Sequence, residues 1–425
     1  MKTKIVPILL FLGFLNSCED TTYREYTGNA PVYMTYEELR NGVTTEGGRD
    51  LENPGKIYFK DNYIFIIEEF KGIHVYDNTN PAAPVKKSFV NVPGIVDMAI
   101  SGNVLYADSF VDLVMLDLQD VSNIRETGRV KDLLPYTTPP IDNKLPVGNV
   151  DKDKGLVVAW EVKTIKERVY DNPVYYPYAR VALDGAFTFN SQITAAGTSG
   201  VSSSGVGIGG SMARFGIKDN VLYLVDKSTL RLLDISTKSS PVKLFDMNVG
   251  WGIETLFLTG DNMFMGTNTG MLIYDVKDAR SPQFRSNYVH VRSCDPVIVD
   301  DTLAYVTLRT GTNCGGSVNN LDVVNIKNIV SPQRVISYPM TNPHGLGKDG
   351  NLLFVCDGTA GLKVFDASNP RMISANLKYA YPNIKAYDAI PLGDELVMIG
   401  DDGLYQYDYS NMQDIRLLST IPVVK

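Results

Sequence analysis

Seven residues of this chain stand where polar or aromatic chemistry could gather: Asp97, Arg214, Trp251, Glu254, Asp295, His344 and Asp388. Each lies at or just ahead of the start of a β-prone run. Gathered at one opening, they would form a polar ring biased towards negative charge, with one guanidinium and one imidazole. A carboxylate–His pair can relay a proton, as a hydrolase or lyase requires, if an acid and a base sit a few ångströms apart with one pKa displaced. Four carboxylates could also hold Ca2+, which takes several oxygen ligands, although no loop shows the spaced Asp ligands of a dedicated calcium site. The plain alternative is that these groups line a watery opening or bond turn backbone, as the Asp of "CDP" (294–296) and the His of "NPHG" (342–345) are placed to do. With only His74, His290 and His344 in the chain, a centre built from several histidines is not expected.

What positions these residues is a repeat. The pattern apolar–x–apolar–apolar–Asp reads "GIHVYD" at Asp77, "DLVMLD" at Asp117, "TLRLLD" at Asp234 and "GMLIYD" at Asp275. It continues as "LDVVNI" around Asn325, "GLKVFD" at Asp366 and "GLYQYD" at Asp408, with a poorer copy, "ARVALD", at Asp184. Successive copies lie 40, 67, 50, 41, 50, 41 and 42 residues apart, and a period near 40 marks a repeat array. Within a unit, runs of five to seven β-prone residues alternate with Asn, Asp, Gly and Pro turns, as across residues 253–289. That grammar describes a four-stranded antiparallel meander. One such sheet cannot bury both faces alone. Stacked radially, each covers its neighbour, and a closed ring leaves only short edges.

The expected fold is therefore all-β: a β-propeller of four-stranded antiparallel blades over 56–425, with eight blades favoured and seven allowed. The innermost strands of eight units would begin near Lys56, Val96, Val147, Ala213, Ile253, Pro296, Gly345 and Asp388. The Asp ending each third strand reads as a turn cap that accepts backbone N–H groups, not as a repeated catalytic acid.

The strand-three sequences "LVMLD" (113–117) and "LKVFD" (362–366) resemble the LVIVD-repeat proteins. The resemblance covers roughly 56–425. It implies a bacterial periplasmic or surface β-propeller and brings no established activity, so no catalytic residue is carried over from it.

The N-terminus reads as an export signal. Lys2 and Lys4 precede an apolar stretch, Ile5 to Leu15, too short to span a bilayer. "LNSC" ends it in the manner of a bacterial lipobox, making 1–17 a lipoprotein signal peptide and Cys18 the lipidated residue. Residues 18–55 would then be a lipidated tether, anchored by several acyl chains. Glu19 and Asp20 resemble a surface-export tag, pointing to the outer membrane with the protein facing outwards. In that oxidising compartment Cys294 and Cys314, in two loops of one unit, are expected to form a disulfide, while Cys356 reads as a buried thiol inside a strand.

The net charge of −8, with no clustered Lys/Arg surface, excludes nucleic acid as an expected partner. The expected function is that of a lipid-anchored envelope module binding a protein or glycan, without a cofactor unless Ca2+ is held. The alternative is a hydrolase or lyase acting through the carboxylate/His cluster at the channel mouth. Three insertions would decorate that mouth: 163–179, with Tyr170, Tyr175, Tyr176 and Tyr178; 191–212, rich in Gly and Ser and read as a solvent-exposed connector; and 309–320.

Overall fold

The computed structural model describes residues 22–169, 205–291, 296–310 and 318–424. Seven sheets, each a four-stranded antiparallel meander in sequence order, form the blades of a propeller. Blade 1 covers 54–91, blade 2 98–130, blade 3 215–248, blade 4 253–289, blade 5 297–339, blade 6 346–381 and blade 7 386–422. In every blade the turn between the first two strands takes positive φ, on Asp61, Gly102, Asp219 and Asn220, Gly260, Asp301, Gly350 and Gly393 respectively. These are the Asp, Asn and Gly residues that such hairpin turns demand.

The apolar cores lie between blades. One holds Phe257 and Phe264 of blade 4, Val297 and Tyr305 of blade 5, and Leu353 of blade 6. Another joins Ile57, Ile64 and Tyr76 of blade 1 to Ile390, Val397 and Leu404 of blade 7, and so closes the ring. Each blade is continuous in sequence, so closure uses no strand exchanged between the chain ends. Leu51 instead forms a parallel bridge to Val423, and Gln406 of blade 7 donates from Nε2 to Asn78 Oδ1 (2.8 Å) and Pro81 O (3.1 Å) beside blade 1.

Among the described residues the blade count is seven, where the sequence favours eight and allows seven. No blade begins at Val147. The strand Leu156–Val169 pairs instead with Thr22–Met34, in an antiparallel ribbon outside the ring. Asp184 lies outside the described residues. The N-terminal partner strand carries little apolar periodicity, so its pairing left no mark on the repeat pattern.

From Thr22 on, the segment expected as a tether is structured. After the ribbon strand comes the helix Tyr36–Asn41, started by a Thr35/Glu38 capping box. Its Leu39 is buried with Phe110, Val111 and Leu156. Its Arg40 reaches the buried Asp112 of blade 2 (Nε to Oδ2, 3.0 Å). Thr44–Gly47 then adds a further strand to the outer edge of blade 1. No helix among the described residues is long and apolar enough to cross a membrane.

Candidate functional site

In each blade the first strand is innermost, and its first residues face the end of the ring where the chain steps from one blade to the next. This end, called the upper face here, also carries the hairpins between second and third strands. Six of the seven sequence candidates can be placed on it: Asp97, Arg214, Trp251, Glu254, His344 and Asp388. Asp295 lies outside the described residues, as do Cys18, Cys294, Cys314 and the four tyrosines from Tyr170 to Tyr178.

Asp97 is the centre of one cluster. Its Oδ2 accepts from Lys56 Nζ (2.5 Å) and Arg214 N (2.6 Å); its Oδ1 accepts from Met98 N (2.8 Å) and Tyr58 OH. Four donors fill the acceptor capacity of a carboxylate. Asp97 is thus a clasp across blade 1, blade 2 and the entry to blade 3, with no lone pair left for a substrate proton. Burial pushes the Lys56 ammonium pKa down and the Tyr58 phenol well up. Next to them, burial raises Glu69 to about 7, opposed by the Lys56 charge. It raises Asp108 to about 6, against hydrogen bonds from the backbone of Asp97 and Val96. Lys56 stood at the first innermost strand in the sequence and belongs to this ring by register. Glu69, Asp108 and Tyr58 had no comparable signal, because their partners come from other strands.

The opposite side of the mouth is formed by blades 4 to 7. His344 is fully buried, its Nε2 lies 3.1 Å from Asn342 Nδ2, and its ring centroid is 5.0 Å from that of Tyr387. Burial and the Arg309 charge hold its pKa well below the usual imidazole value. Asp388, also fully buried, accepts from Ala389 N (2.5 Å), and burial holds its carboxyl well above the ordinary range. Arg309, nearly buried, is lowered to about 10 by burial, opposed by the charges of Glu254 and Tyr387. Burial thus shifts the imidazole and the carboxyl in opposite directions, each towards its uncharged form, and seals both side chains from solvent. Among the described residues no group of three or more His, Cys, Asp or Glu side chains could hold a metal ion. Cys356 is buried, and burial raises its thiol pKa well above the usual value.

The channel itself is occupied by the chain. Residues 205–212, expected as part of an exposed connector, run through it from the lower face to the upper. Gly102 N donates to Gly205 O (2.5 Å), and Gly207 N donates to Ile100 O (3.0 Å) of blade 2. Ile208 and Gly209 pair antiparallel with Phe59 and Tyr58 of blade 1. Leu346 N of blade 6 donates to Ser211 Oγ (3.4 Å), and the strand delivers Arg214 to Asp97. The Gly-rich composition has a steric reason. A Cβ at Gly209 would lie 2.6 Å from Tyr58 Cε1, and one at Gly207 3.0 Å from Ile100 Cβ.

Trp251 is different from the other candidates. It is 72% exposed, in the loop between blades 3 and 4. Val289 (69%) and Val291 (53%) flank the next such loop. The intervening hairpin holds the two loops side by side, with Asn268 N donating to Gly252 O (2.9 Å) and His290 N to Thr269 O (3.2 Å).

No protein-family model matches this sequence, and no curated protein matches it. In fold it is similar to the computationally designed protein Ika8, with TM-score 0.50 and 10% identity over 89% of this chain and 88% of that one. It is also similar to BamB from Moraxella catarrhalis, with TM-score 0.46 and 8% identity over 91% and 95% of the two chains. A third likeness is to PorZ, described as an essential bacterial surface component of the type-IX secretion system of Porphyromonas gingivalis. There the TM-score is 0.47 and the identity 10%, over 90% of this chain and 40% of that one. At these identities the likeness concerns the fold alone.

Proposed function

We propose that this chain is a lipid-anchored β-propeller of the cell envelope, of the LVIVD-repeat kind, that binds a protein or glycan partner through its upper face. The observation that carries the reading is the exposure of Trp251 on the upper face, with Val289 and Val291 exposed beside the next loop. Trp offers a flat apolar body with a single N–H donor, which suits a protein hot spot or a sugar face. The burial of Asp97, His344 and Asp388, with both oxygens of Asp97 already engaged by donors of the chain itself, favours binding over acid–base catalysis at the mouth. The lipobox supports Cys18 as the lipid acceptor, and the acidic residues after it support an outward-facing place on the outer membrane.

A photoreactive residue at position 251 should trap a partner on intact cells, while the same residue at the exposed Met372, on the lower face, should not. Trp251→Ala should reduce partner recovery about tenfold, as expected for a hot-spot aromatic. Equal trapping at both positions, with full recovery by Trp251→Ala, would move the interaction off the upper face. Cys18→Ala should shift the protein from the membrane to the soluble fraction; a variant that stays membrane-bound and still takes up a fatty-acid label refutes the anchor.

A further inference from the structure

The ribbon strand Thr22–Met34 begins four residues after Cys18. Fully extended, that spacing spans at most about 14 Å. A lipid on Cys18 would therefore hold the ribbon tip close to the bilayer, not let the ring drift on a long leash. The ribbon is fixed at its base, where Met34, Leu156 and Val158 pack with Leu39 and Phe110. Midway it is held by Asn29, whose Nδ2 donates to Asp142 O (2.9 Å) and Leu145 O (3.1 Å). Towards the tip its side chains are largely exposed.

The tip has the chemistry of a headgroup layer. Tyr23 is 53% exposed. Lys166 Nζ lies 5.5 Å from the Tyr23 ring centroid, and the Arg24 guanidinium 5.0 Å from that of Tyr26. Arg24, Lys163, Lys166 and Arg168 stand there with Glu25, Glu161 and Glu167, an excess of one cation in a chain whose net charge is −8. Of the ion pairs at and just below the tip, Arg24–Glu167 (3.3 Å) sets an exposed guanidinium on a largely covered carboxylate, while Lys166–Glu25 (3.1 Å) and Lys163–Glu161 (2.8 Å) are solvent-exposed on both sides. Such pairs are worth only about 0–1 kcal/mol each, so lipid phosphates can compete for the cations. Tyrosines beside long basic side chains are the groups that settle at a membrane–water boundary.

We propose that the ribbon is a stalk whose tip seats in the headgroup layer beside the chain's own lipid. The proposal rests on the lipid-anchor reading. The stalk, 13 residues long at about 3.4 Å per residue, bounds how far the ring can stand from the bilayer.

The test places a photoreactive residue at Tyr23, at Lys166 or, as control, at Met372, in full-length protein in native envelopes. Fatty-acid incorporation at Cys18 is measured on the same samples. Lipid adducts at 23 and 166, with none at 372, are expected. A labelled Cys18 without lipid adducts at either tip position overturns the stalk and leaves the anchor standing. Adducts with protein alone at the tip overturn it in favour of a docked partner. An unlabelled Cys18 overturns the anchor, and the stalk falls with it.

Discussion

Asp97 shows how a residue placed for chemistry can be spent on structure. Its two oxygens hold an ammonium, a phenol and two backbone N–H groups from three parts of the ring. Asp97→Asn keeps the shape but leaves the buried Lys56 ammonium without its counter-charge. Breaking one side of a buried pair costs about 3–5 kcal/mol, so the denaturation midpoint should fall accordingly. An unchanged midpoint would remove the clasp role. Glu69 and Asp108 supply a pH signature. Their folded pKa values, about 7 and about 6, lie above the ordinary carboxyl values. The folded state therefore holds protons that the unfolded chain has already released. Stability from these groups is complete below the ordinary carboxyl pKa and is lost as pH rises through 6 and 7. Glu69→Gln should flatten that decline in melting temperature between about pH 4.5 and 7, since the amide never ionises. A wild-type profile identical to that of the variant would show that Glu69 is not buried as described.

At the scale of the element, two devices can be tested separately. The first is the turn after each third strand. The Oδ1 of Asp77, Asp117, Asp234, Asp275, Asn325, Asp366 and Asp408 accepts the backbone N–H two residues on, in all seven blades. This is the capping role that the repeated Asp implied. Asp275→Ala should cost about 1 kcal/mol in chemical denaturation, the usual net value of one such bond. A loss of binding without a loss of stability would instead mark it as a contact residue. The second device is the channel strand. Gly209→Val drives a branched side chain into Tyr58 and should expel residues 205–212 while the blades stay folded. Hydrogen exchange would read this as lost protection at Gly207 and Gly210, with protection kept in the strands of blades 4 and 5. Unchanged protection at the two glycines would mean that the strand is not confined as described.

For the whole molecule, the ring closes by side chains and one short bridge, because every blade is made from consecutive strands. Gln406→Leu would leave Asn78 Oδ1 buried without its donor, while Pro81 O keeps the Ser419 hydroxyl (2.6 Å). A cost of about 1–3 kcal/mol is expected. The closing interface couples the first blade to the last, so the variant should also broaden the unfolding transition. A wild-type midpoint and slope would show that closure rests on the apolar core alone. The channel strand ties blades 1, 2 and 6 to the start of blade 3, compensating for the missing strand exchange. Thus the feature that blocks the channel also braces the ring.

Local chemistry was readable without coordinates. The Asp-capped turns, the hairpin residues with positive φ and the alternation of β-prone runs depend on neighbours in sequence, so the repeat announced blades and a propeller. The same register argument brought Asp97, Arg214, Glu254, His344 and Asp388 to one end of the ring. Contacts between distant segments decided the rest. The pairing of 22–34 with 156–169 replaced an eighth blade by a ribbon, because antiparallel partners need no sequence likeness to each other. The course of 205–212 through the channel turned a Gly/Ser run from a connector into a plug, because small residues serve both exposed linkers and tight passages. Whether a polar residue at the mouth is free or already bonded depends on donors such as Lys56 and Tyr58, which lie about forty positions away in the chain. Sequence determines what each side chain can do; packing determines what is left for it to do.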